Sequence, residues 1–243
     1  MKTSSHTAGP DPYSMHLYIK IREGRSHSEQ DTNEFLLRSL KGYSDTCRRT
    51  SSQAPDTSLR AQRGNPADGG SLSVTPQDLA ALIRRGEYGK PYFTGTLADI
   101  SFSLSHSGRY IAVLYADLRQ GEVGLDIEDV GRGMDGGARN RDPVRLMKIA
   151  ERFFTREETE WVRESPEDLP DRFFKIWTGK ESYIKYTGRG LGQGLDTFSV
   201  LSPPEGVLIE EVRLPAEVVP GLVCSRCCSL RGGEKGAKIV IYE

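Results

Sequence analysis

Apolar residues recur along this chain at two spacings, and together they predict a protein that contains both strands and helices. Alternation of apolar and polar residues, or a short run rich in β-branched and aromatic residues, predicts a strand. The predicted strands are Met15–Ile21, Ile100–Ser105, Tyr110–Ala116, Gly121–Glu128, Thr197–Leu201, Val207–Leu214 and Lys238–Tyr242. Gly108 lies between the second and third of these strands and predicts a hairpin turn.

Helices are predicted where apolar residues recur every third or fourth position after a capping residue. The predicted helices are Asn33–Tyr43, Thr75–Gly86, Asp142–Arg152, a short helix that follows the capping box Thr155-x-x-Glu158, and Asp168–Tyr186, which is predicted to be the longest. Gly188 is expected to end that last helix, because glycine readily adopts the left-handed conformation of a helix C-terminus.

Two stretches with few apolar residues predict mobile loops, at residues 47–73 and 131–142. Such stretches cannot offset their ordering entropy by burial. The remaining elements follow a similar order in each half of the chain, namely a strand, a helix and a set of antiparallel strands. We therefore predict an α+β fold of two similar lobes, with a flexible segment at residues 1–14, an N-terminal lobe at 15–121 and a C-terminal lobe at 122–243.

The composition argues against several classes of protein. The chain has 243 residues and a formal net charge of −1, so it lacks the basic excess of a nucleic-acid-binding protein. It contains no apolar run of about 18 residues, so no membrane span is expected. Its polar N-terminus lacks the apolar core of a secretory signal, and we therefore expect a cytoplasmic location.

The four cysteines are Cys47, Cys224, Cys227 and Cys228. The spacing of Cys224 and Cys227 is compatible with half of a zinc site or with a redox pair. No second Cys/His pair lies nearby in the sequence, although a structural zinc ion normally has four ligands. We therefore expect free thiols, which fit a reducing compartment.

The chemically most informative residues lie in one predicted strand and one predicted helix. Asp126 and Glu128 project from the same strand face, because side chains alternate along a strand. Trp177, Glu181 and Lys185 share one helix face, with Lys180 beside them. Such acids and lysines suit a divalent metal, Mg²⁺ or Mn²⁺, beside a phosphate ester. A solvated acidic edge and an amphipathic helix with an i,i+4 ion pair remain the simpler interpretations.

Two further segments offer groups that could contact a phosphorylated ligand. The run Phe102-Ser-Leu-Ser-His-Ser107 places His106 and serine hydroxyls near a strand end, and a protonated histidine can bind phosphate oxygens. The run Tyr88-Gly-Lys-Pro-Tyr92 presents a lysine in a turn. A structural histidine and an ordinary loop explain the same residues.

In order along the chain, these motifs resemble those of the 4′-phosphopantetheinyl transferases of the larger, surfactin-synthetase-activating type. The resemblance runs from about Tyr88 to Val200. The residues that carry it are Gly89-Lys90-Pro91, Phe102 to Ser107, Gly124-Leu-Asp-Ile-Glu128, Trp177-Thr-Gly-Lys-Glu-Ser182 with Lys185, Gly188-x-Gly190-Leu191, Arg152-Phe-Phe154 and Leu195-Asp-x-Phe-Ser-Val200.

The resemblance implies transfer of 4′-phosphopantetheine from coenzyme A to a serine of an acyl or peptidyl carrier protein, in a cleft between two lobes. It implies that Asp126, Glu128 and Glu181 bind Mg²⁺ and that His106 and Lys185 contact phosphates. It also implies that Gly89, Lys90 and Pro91 line the adenine and ribose side, with Ser105 close by. Glu181, or a metal-bound water that it orients, is the candidate base.

Members of this family grip the 3′-phosphate of coenzyme A with basic residues of the first lobe. The candidates here are Arg22, Arg25, His27 and Arg38. The two-lobe form suggests a monomer. Two other functions remain open from the residues: a non-catalytic homologue that binds coenzyme A or a carrier protein, and a Mg²⁺-dependent phosphohydrolase that acts on a nucleotide.

Overall fold

The structure is a computed structural model that describes residues 17–23, 28–52, 75–131, 142–214, 221–229 and 239–242. The predicted flexible N-terminus, most of the predicted loop at 47–73 and most of the loop at 131–142 lie outside these residues. The helices are α1 (Glu29–Ser52), α2 (Pro76–Leu82), α3 (Pro143–Phe153), α4 (Arg156–Arg163) and α5 (Leu169–Thr187). The strands are β1 (Leu17–Glu23), β2 (Ile83–Arg85), β3 (Pro91–Phe93), β4 (Ile100–Ser107), β5 (Tyr110–Asp117), β6 (Val123–Asp129), β7 (Val207–Glu211), β8 (Leu222–Ser229) and β9 (Ile239–Tyr242).

Local chemistry accounts for most of the helix ends. Thr75 and Thr155 each form a capping box, with Asp78 and Glu158 respectively, and thereby satisfy backbone N–H groups that have no partner in the first turn. Gly188 ends α5 in the left-handed conformation, with φ 67°. These predicted caps are confirmed.

Three predictions of secondary structure are wrong. Helix α1 has 24 residues and α5 has 19, so α5 is not the longest helix. Because α1 continues to Ser52, residues 47–52 are helical and not part of a loop. Helix α2 ends at Leu82 rather than Gly86, since Ile83 leaves the helix to pair with Phe93.

The predicted strand at Thr197–Leu201 is also absent. A short 3₁₀ helix at Leu195–Thr197 leads into an irregular segment there. The buried ammonium of Lys180 donates hydrogen bonds to the carbonyl oxygens of Leu195 and Phe198, at 2.6 and 2.7 Å. These carbonyl groups are therefore not available to pair with a neighbouring strand. Strand β8, which contains the clustered cysteines, and the short β2–β3 pair were not predicted.

Within the described residues the strands form three sheets. The first has the order β4-β5-β1-β9, with β9 parallel to β1 and the other neighbours antiparallel. The second is the β2–β3 pair, and the third is an antiparallel sheet of order β6-β8-β7. The mixed helix and sheet content confirms the α+β class. The boundary at residue 121 stays a prediction, and β9, from the predicted C-terminal lobe, pairs with β1.

The first and third sheets meet along a row of serines. Strand β6 pairs with β8 on one edge, and on its other edge every second backbone N–H donates to a serine hydroxyl of β4. The four N–H···Oγ distances lie between 2.9 and 3.3 Å. The pairs are Val123 with Ser101, Leu125 with Ser103, Ile127 with Ser105 and Asp129 with Ser107. This serine seam satisfies backbone groups that would otherwise be buried without partners.

An apolar core lies between the two sheets that the serine seam joins. Alternate residues of β5 and β6 point into it, in agreement with the period of two in both strands. Its members include Tyr110, Ala112, Leu114, Ala116, Val123, Leu125 and Ile127. The alternating residues on the other face of β6 therefore point away from this core, toward α5.

Helix α5 reaches the backbone of β6 at Gly124. A Cβ atom built at Gly124 would lie 1.9 Å from the carbonyl oxygen of Ser182 and 2.5 Å from the backbone nitrogen of Tyr186. These are backbone atoms of a helix, so a side chain at position 124 cannot be accommodated by a rotamer change. Glycine at this position is what allows the helix to pack against the strand.

We predict that Gly124→Ala separates α5 from β6 and costs about 1–3 kcal/mol or more of unfolding free energy, as overpacking does. For a chain of this size that corresponds to a fall in Tm of about 2–4 °C per kcal/mol. Thermal unfolding measures it. Gly192→Ala is the matched control, because no atom lies within 4 Å of a Cβ built there; equal Tm values for the two variants would contradict the packing argument.

Candidate active site

Asp126 lies at the centre of a cluster of polar side chains between β6, β4 and α5. Its side chain points from β6 toward α5 and is only 5% exposed. Lys185 of α5 contacts Asp126 Oδ1 at 2.6 Å. The hydroxyl of Ser105 donates to the same oxygen at 2.9 Å and accepts from Lys185 at 2.9 Å. The structure thus brings together the predicted strand acid, the predicted helix lysine and a seam serine.

The second carboxylate oxygen of Asp126 is buried and has no hydrogen-bond partner among the described residues. Burial raises the pKa of this carboxyl group, while the charge of Lys185 and its hydrogen bond act in the opposite direction. An unpartnered buried carboxylate oxygen costs free energy in the absence of a ligand. It marks Oδ2 as the atom of this cluster that is free to bind one.

Glu128 and Glu181 complete the set of acids. Ser107 donates to Glu128 at 2.7 Å, so the seam holds this carboxylate as well. Burial raises the pKa of Glu128 and that of Glu181, and the negative charge of Asp126 raises both further. The three acids are close enough to affect one another electrostatically, and their assignment to one site, implied by the resemblance, stays a prediction.

These residues fit a hard divalent cation in their chemistry. They offer carboxylate oxygens, the ligands that Mg²⁺ and Mn²⁺ prefer, together with the unpartnered Asp126 Oδ2. A cation would also relieve the mutual repulsion that raises their pKa values. In the described part of the chain no three acidic, histidine or cysteine side chains are already arranged around one point as a metal site, and the metal assignment of Asp126, Glu128 and Glu181 remains a prediction.

A cavity of about 230 Å³ opens beside this cluster. One wall is the turn between β2 and β3, the opposite wall is the end of α5, and β4 lies between them. The lining residues are Tyr88, Gly89, Lys90, Pro91, Phe102, Ser103, Leu104, Ile184, Lys185, Gly188 and Gly190. Lys185 belongs to both the cavity and the acid cluster, and therefore connects them.

Gly89, Lys90 and Pro91 lie on the cavity wall, but the ammonium of Lys90 does not point into open space. It donates to Glu122 at 2.8 Å and to the carbonyl oxygen of Tyr186 at 3.0 Å. The backbone and the aliphatic part of the Lys90 side chain thus line the cavity, while the ammonium group points away from it and contacts other protein groups.

Ser105, His106 and Lys180 lie in surroundings that the sequence alone did not predict. Ser105 is buried in the acid cluster, and His106 is exposed on β4 and does not line the cavity. Their predicted contacts with coenzyme A stay predictions. Lys180, which the sequence placed beside the face of Trp177, Glu181 and Lys185, is fully buried and pairs with Glu158 at 2.7 Å.

Sequence reasoning named the serines of Phe102–Ser107 as possible ligand contacts but missed the role of the seam serines in joining the two sheets, and it missed Glu122 altogether. The signal for the seam was a serine at every second position of β4, at 101, 103, 105 and 107. Such spacing puts four hydroxyls on one strand face. Glu122 carried no signal in the sequence, because its role depends on a lysine that is distant along the chain.

The candidates for 3′-phosphate binding are not brought together by the described residues. Arg38 is exposed on α1 and lies 3.8 Å from Glu34 of the same helix. Arg22 lies in β1, and Arg25 and His27 are outside the described residues. The assignment of this subsite remains a prediction.

The cysteines of β8 behave as core residues. Cys224, Cys227 and Cys228 are buried and form no disulfide, and burial raises the pKa of the Cys224 and Cys227 thiols. Reactive thiols instead have a lowered pKa. No helix in the described part of the chain has both the length and the apolar character that crossing a membrane requires.

Comparison with known proteins gives a consistent result. Residues 122–219 match the 4′-phosphopantetheinyl transferase superfamily. A 4′-phosphopantetheinyl transferase from Bacillus subtilis is 38% identical over 49% of this chain and 47% of its own length. The 4′-phosphopantetheinyl transferase Sfp of Bacillus subtilis strain 168 is 31% identical over 65% of this chain and 67% of its own length.

A third relative comes from a different bacterium. The 4′-phosphopantetheinyl transferase AcpT of Salmonella typhimurium is 37% identical over 53% of this chain and 60% of its own length. The chain therefore spans about half to two thirds of the length of these curated relatives. The matched family region contains Asp126, Glu128, Glu181 and Lys185.

We predict that Glu181→Gln stabilises the protein at neutral pH. The raised pKa of Glu181 means that the folded state keeps a proton that the unfolded state releases as pH rises above about 4.5. The free energy of unfolding therefore falls as pH rises through that window, and glutamine removes this contribution. We expect a higher Tm at pH 7 and a smaller fall in Tm between pH 4.5 and 7.

Thermal unfolding across this pH range checks the prediction. Glu205→Gln is the control, because Glu205 is an exposed residue outside the cluster. A Tm for Glu181→Gln that is equal to or below that of the unmodified chain at pH 7 would show that Glu181 does not carry a destabilising charge.

Proposed function

The chain belongs to the 4′-phosphopantetheinyl transferase superfamily, and on that premise we propose that it transfers 4′-phosphopantetheine from coenzyme A to a serine hydroxyl of an acyl or peptidyl carrier protein. We propose further that the reaction depends on Mg²⁺, with Mn²⁺ as a substitute, and that the site lies in a cleft between two similar lobes of a monomer. A cytoplasmic location agrees with the three buried free thiols.

One observation carries this proposal: the cavity and the acid cluster share Lys185. A nucleotide held in the cavity would place its phosphates beside a lysine whose other neighbours are carboxylates. That combination suits a pyrophosphate linked to a nucleoside, because the lysine binds phosphate oxygens and the acids can hold a cation next to them.

The cavity suits the nucleotide end of coenzyme A. Gly89, Lys90 and Pro91 form the wall that would contact adenine and ribose. The absence of a side chain at Gly89, where no atom lies within 4 Å of a built Cβ, leaves room for close approach of a ligand to the backbone. Lys185 and His106 are the proposed phosphate contacts. The hydroxyl of Ser105 accepts a hydrogen bond from Lys185 and so orients its ammonium group.

Asp126, Glu128 and Glu181 are the residues that would hold Mg²⁺. When bound, the ion would neutralise charge on the pyrophosphate and so improve the leaving group. The unpartnered Oδ2 of Asp126 supports this assignment. Lys185 keeps Oδ1 of the same carboxylate in place through the ion pair at 2.6 Å.

The chain's own groups can carry the proton transfer of the proposed reaction. The carrier serine oxygen bonds to the phosphorus of the phosphopantetheine phosphate, and the bond from that phosphorus to the bridging oxygen breaks, which releases adenosine 3′,5′-bisphosphate. Glu181 is the proposed base that takes the serine proton. Lys185 stabilises the negative charge that develops on the phosphates.

We predict that the purified chain, incubated with coenzyme A, Mg²⁺ and an apo carrier protein, increases the mass of the carrier by one phosphopantetheine. Mass spectrometry of the intact carrier measures it. Asp126→Asn should lower the rate by about 10²-fold or more, since it removes a carboxylate ligand of the proposed Mg²⁺ and with it several kcal/mol of charge stabilisation at the phosphates, and excess chelator should stop the reaction.

The outcomes separate the competing functions. No mass gain with several fatty-acid, polyketide and peptide carriers would reject the transferase proposal. Binding of coenzyme A without turnover would indicate a non-catalytic homologue, and release of free phosphopantetheine would indicate a phosphohydrolase. Full activity of Asp126→Asn, or activity in excess chelator, would contradict the metal assignment.

A further inference from the structure

We infer that Lys90 is a positioning residue that ties the cavity turn to the end of α5, and not a ligand for a phosphate group. The inference rests on the proposed function in that the cavity is taken as the coenzyme A site. It concerns the contacts that set the distance between the two walls of that cavity, namely the β2–β3 turn and the end of α5.

The ammonium of Lys90 makes three polar contacts with two other elements. It lies 2.8 Å from Glu122 Oε2, 3.0 Å from the carbonyl oxygen of Tyr186 and 3.4 Å from the carbonyl oxygen of Val123. An ammonium has three donors, so these contacts use its full capacity. Glu122 is itself held by Ser101 at 2.7 Å, which connects the contact to the serine seam.

The contact with Tyr186 has a special effect because Tyr186 belongs to the last turn of α5. Carbonyl groups in a last turn have no partner within the helix, and a cation placed there also interacts favourably with the helix dipole. Lys90 therefore acts as a cap for the helix that carries Glu181 and Lys185.

The stem of Lys90 joins the same two walls by packing. A Cβ atom at Gly188 would lie 3.1 Å from Lys90 Cδ, and a Cβ atom at Gly190 would lie 3.4 Å from Tyr88 Cβ. The turn at Tyr88–Pro91 and the segment after α5 are thus in close contact. Both segments line the cavity, so their separation sets its width.

The strength of the tie comes from the combination of these contacts. An ion pair with a half-exposed partner such as Glu122 is worth about 0–1 kcal/mol by itself. The Lys90 side chain is mostly buried, at 17% exposed, and two backbone carbonyls add to the pair. Turning the ammonium toward a bound phosphate would break all three contacts. We therefore assign Lys90 a role in holding the protein together and Lys185 the role of phosphate ligand.

We predict that Lys90→Met raises KM for coenzyme A about 10-fold, which corresponds to about 1.4 kcal/mol. Methionine keeps an unbranched stem and removes the ammonium. kcat and KM for the carrier protein should change by less than about twofold, because the group does not touch the reacting atoms. The salt dependence of KM for coenzyme A should stay the same, since no ligand charge loses its partner.

Hydrogen–deuterium exchange of the ligand-free protein supplies a readout that does not require activity. Lys90→Met should speed exchange in the cavity turn, Gly86–Pro91, and at the end of α5. Glu122→Ala should act in the same direction, and the double variant should add little to Lys90→Met. Lys175→Met is the matched control, because Lys175 pairs with Glu211 at 2.9 Å and does not line the cavity.

Several results would overturn the inference. A weaker salt dependence in Lys90→Met with unchanged exchange would identify Lys90 as a phosphate ligand. Unchanged KM and unchanged exchange in Lys90→Met would show that the contacts of Lys90 do not position the cavity walls. An equal change of KM in Lys175→Met would show that loss of any such lysine weakens coenzyme A binding. If the unmodified chain neither binds nor uses coenzyme A, the proposed function fails, and the exchange experiment alone then decides whether the tie exists.

Discussion

The row of hydrogen bonds from β6 to the serines of β4 determines where every other part of the site lies. Among the described residues it joins two sheets that share no strand pairing with each other, and it fixes the register between them to within one residue. A shift of β4 by one residue would replace the serine hydroxyls by Phe102 and Leu104, and a shift of β6 by one residue would turn Asp126 to the opposite face. The same hydroxyls that satisfy the β6 backbone also hold the carboxylates of Asp126 and Glu128, so the joint between the sheets and the orientation of the acids are a single feature.

This arrangement of acids lowers the stability of the ligand-free fold, and a bound cation would remove that destabilisation. Three acids with raised pKa values lie together, and one buried carboxylate oxygen has no partner in the described structure. The fold tolerates them because Lys185 supplies one positive charge and Gly124 lets α5 approach closely enough for that lysine to reach Asp126. Among the other buried charged groups that the structure describes, Glu158 pairs with Lys180 and Arg226 pairs with Glu210. In the described part of the chain the incompletely paired acidic charge thus lies beside a cavity, which supports a functional role there.

Much of this could be predicted from the sequence, for identifiable reasons. The alternation of β6 predicted that Asp126 and Glu128 share a face, and helical spacing predicted that Glu181 and Lys185 share another, because both patterns depend only on local geometry. That the two faces meet was implied by the resemblance to the family and by neither pattern alone. The destination of Lys180 could not be predicted, since it depends on a glutamate 22 positions earlier that a capping box holds in the core. The contact between Lys90 and Glu122 and the extension of α1 to Ser52 likewise depend on packing between distant segments.

A crystal structure of the chain with coenzyme A and Mn²⁺ tests the central claim most directly, because manganese can be located by its anomalous scattering. We expect the adenine nucleotide between the Tyr88–Pro91 turn and the end of α5, the phosphates at Lys185, and manganese bound to Oδ2 of Asp126. We also expect the serine seam to be unchanged. Coenzyme A outside this cavity, or manganese bound away from Asp126, Glu128 and Glu181, would contradict the account.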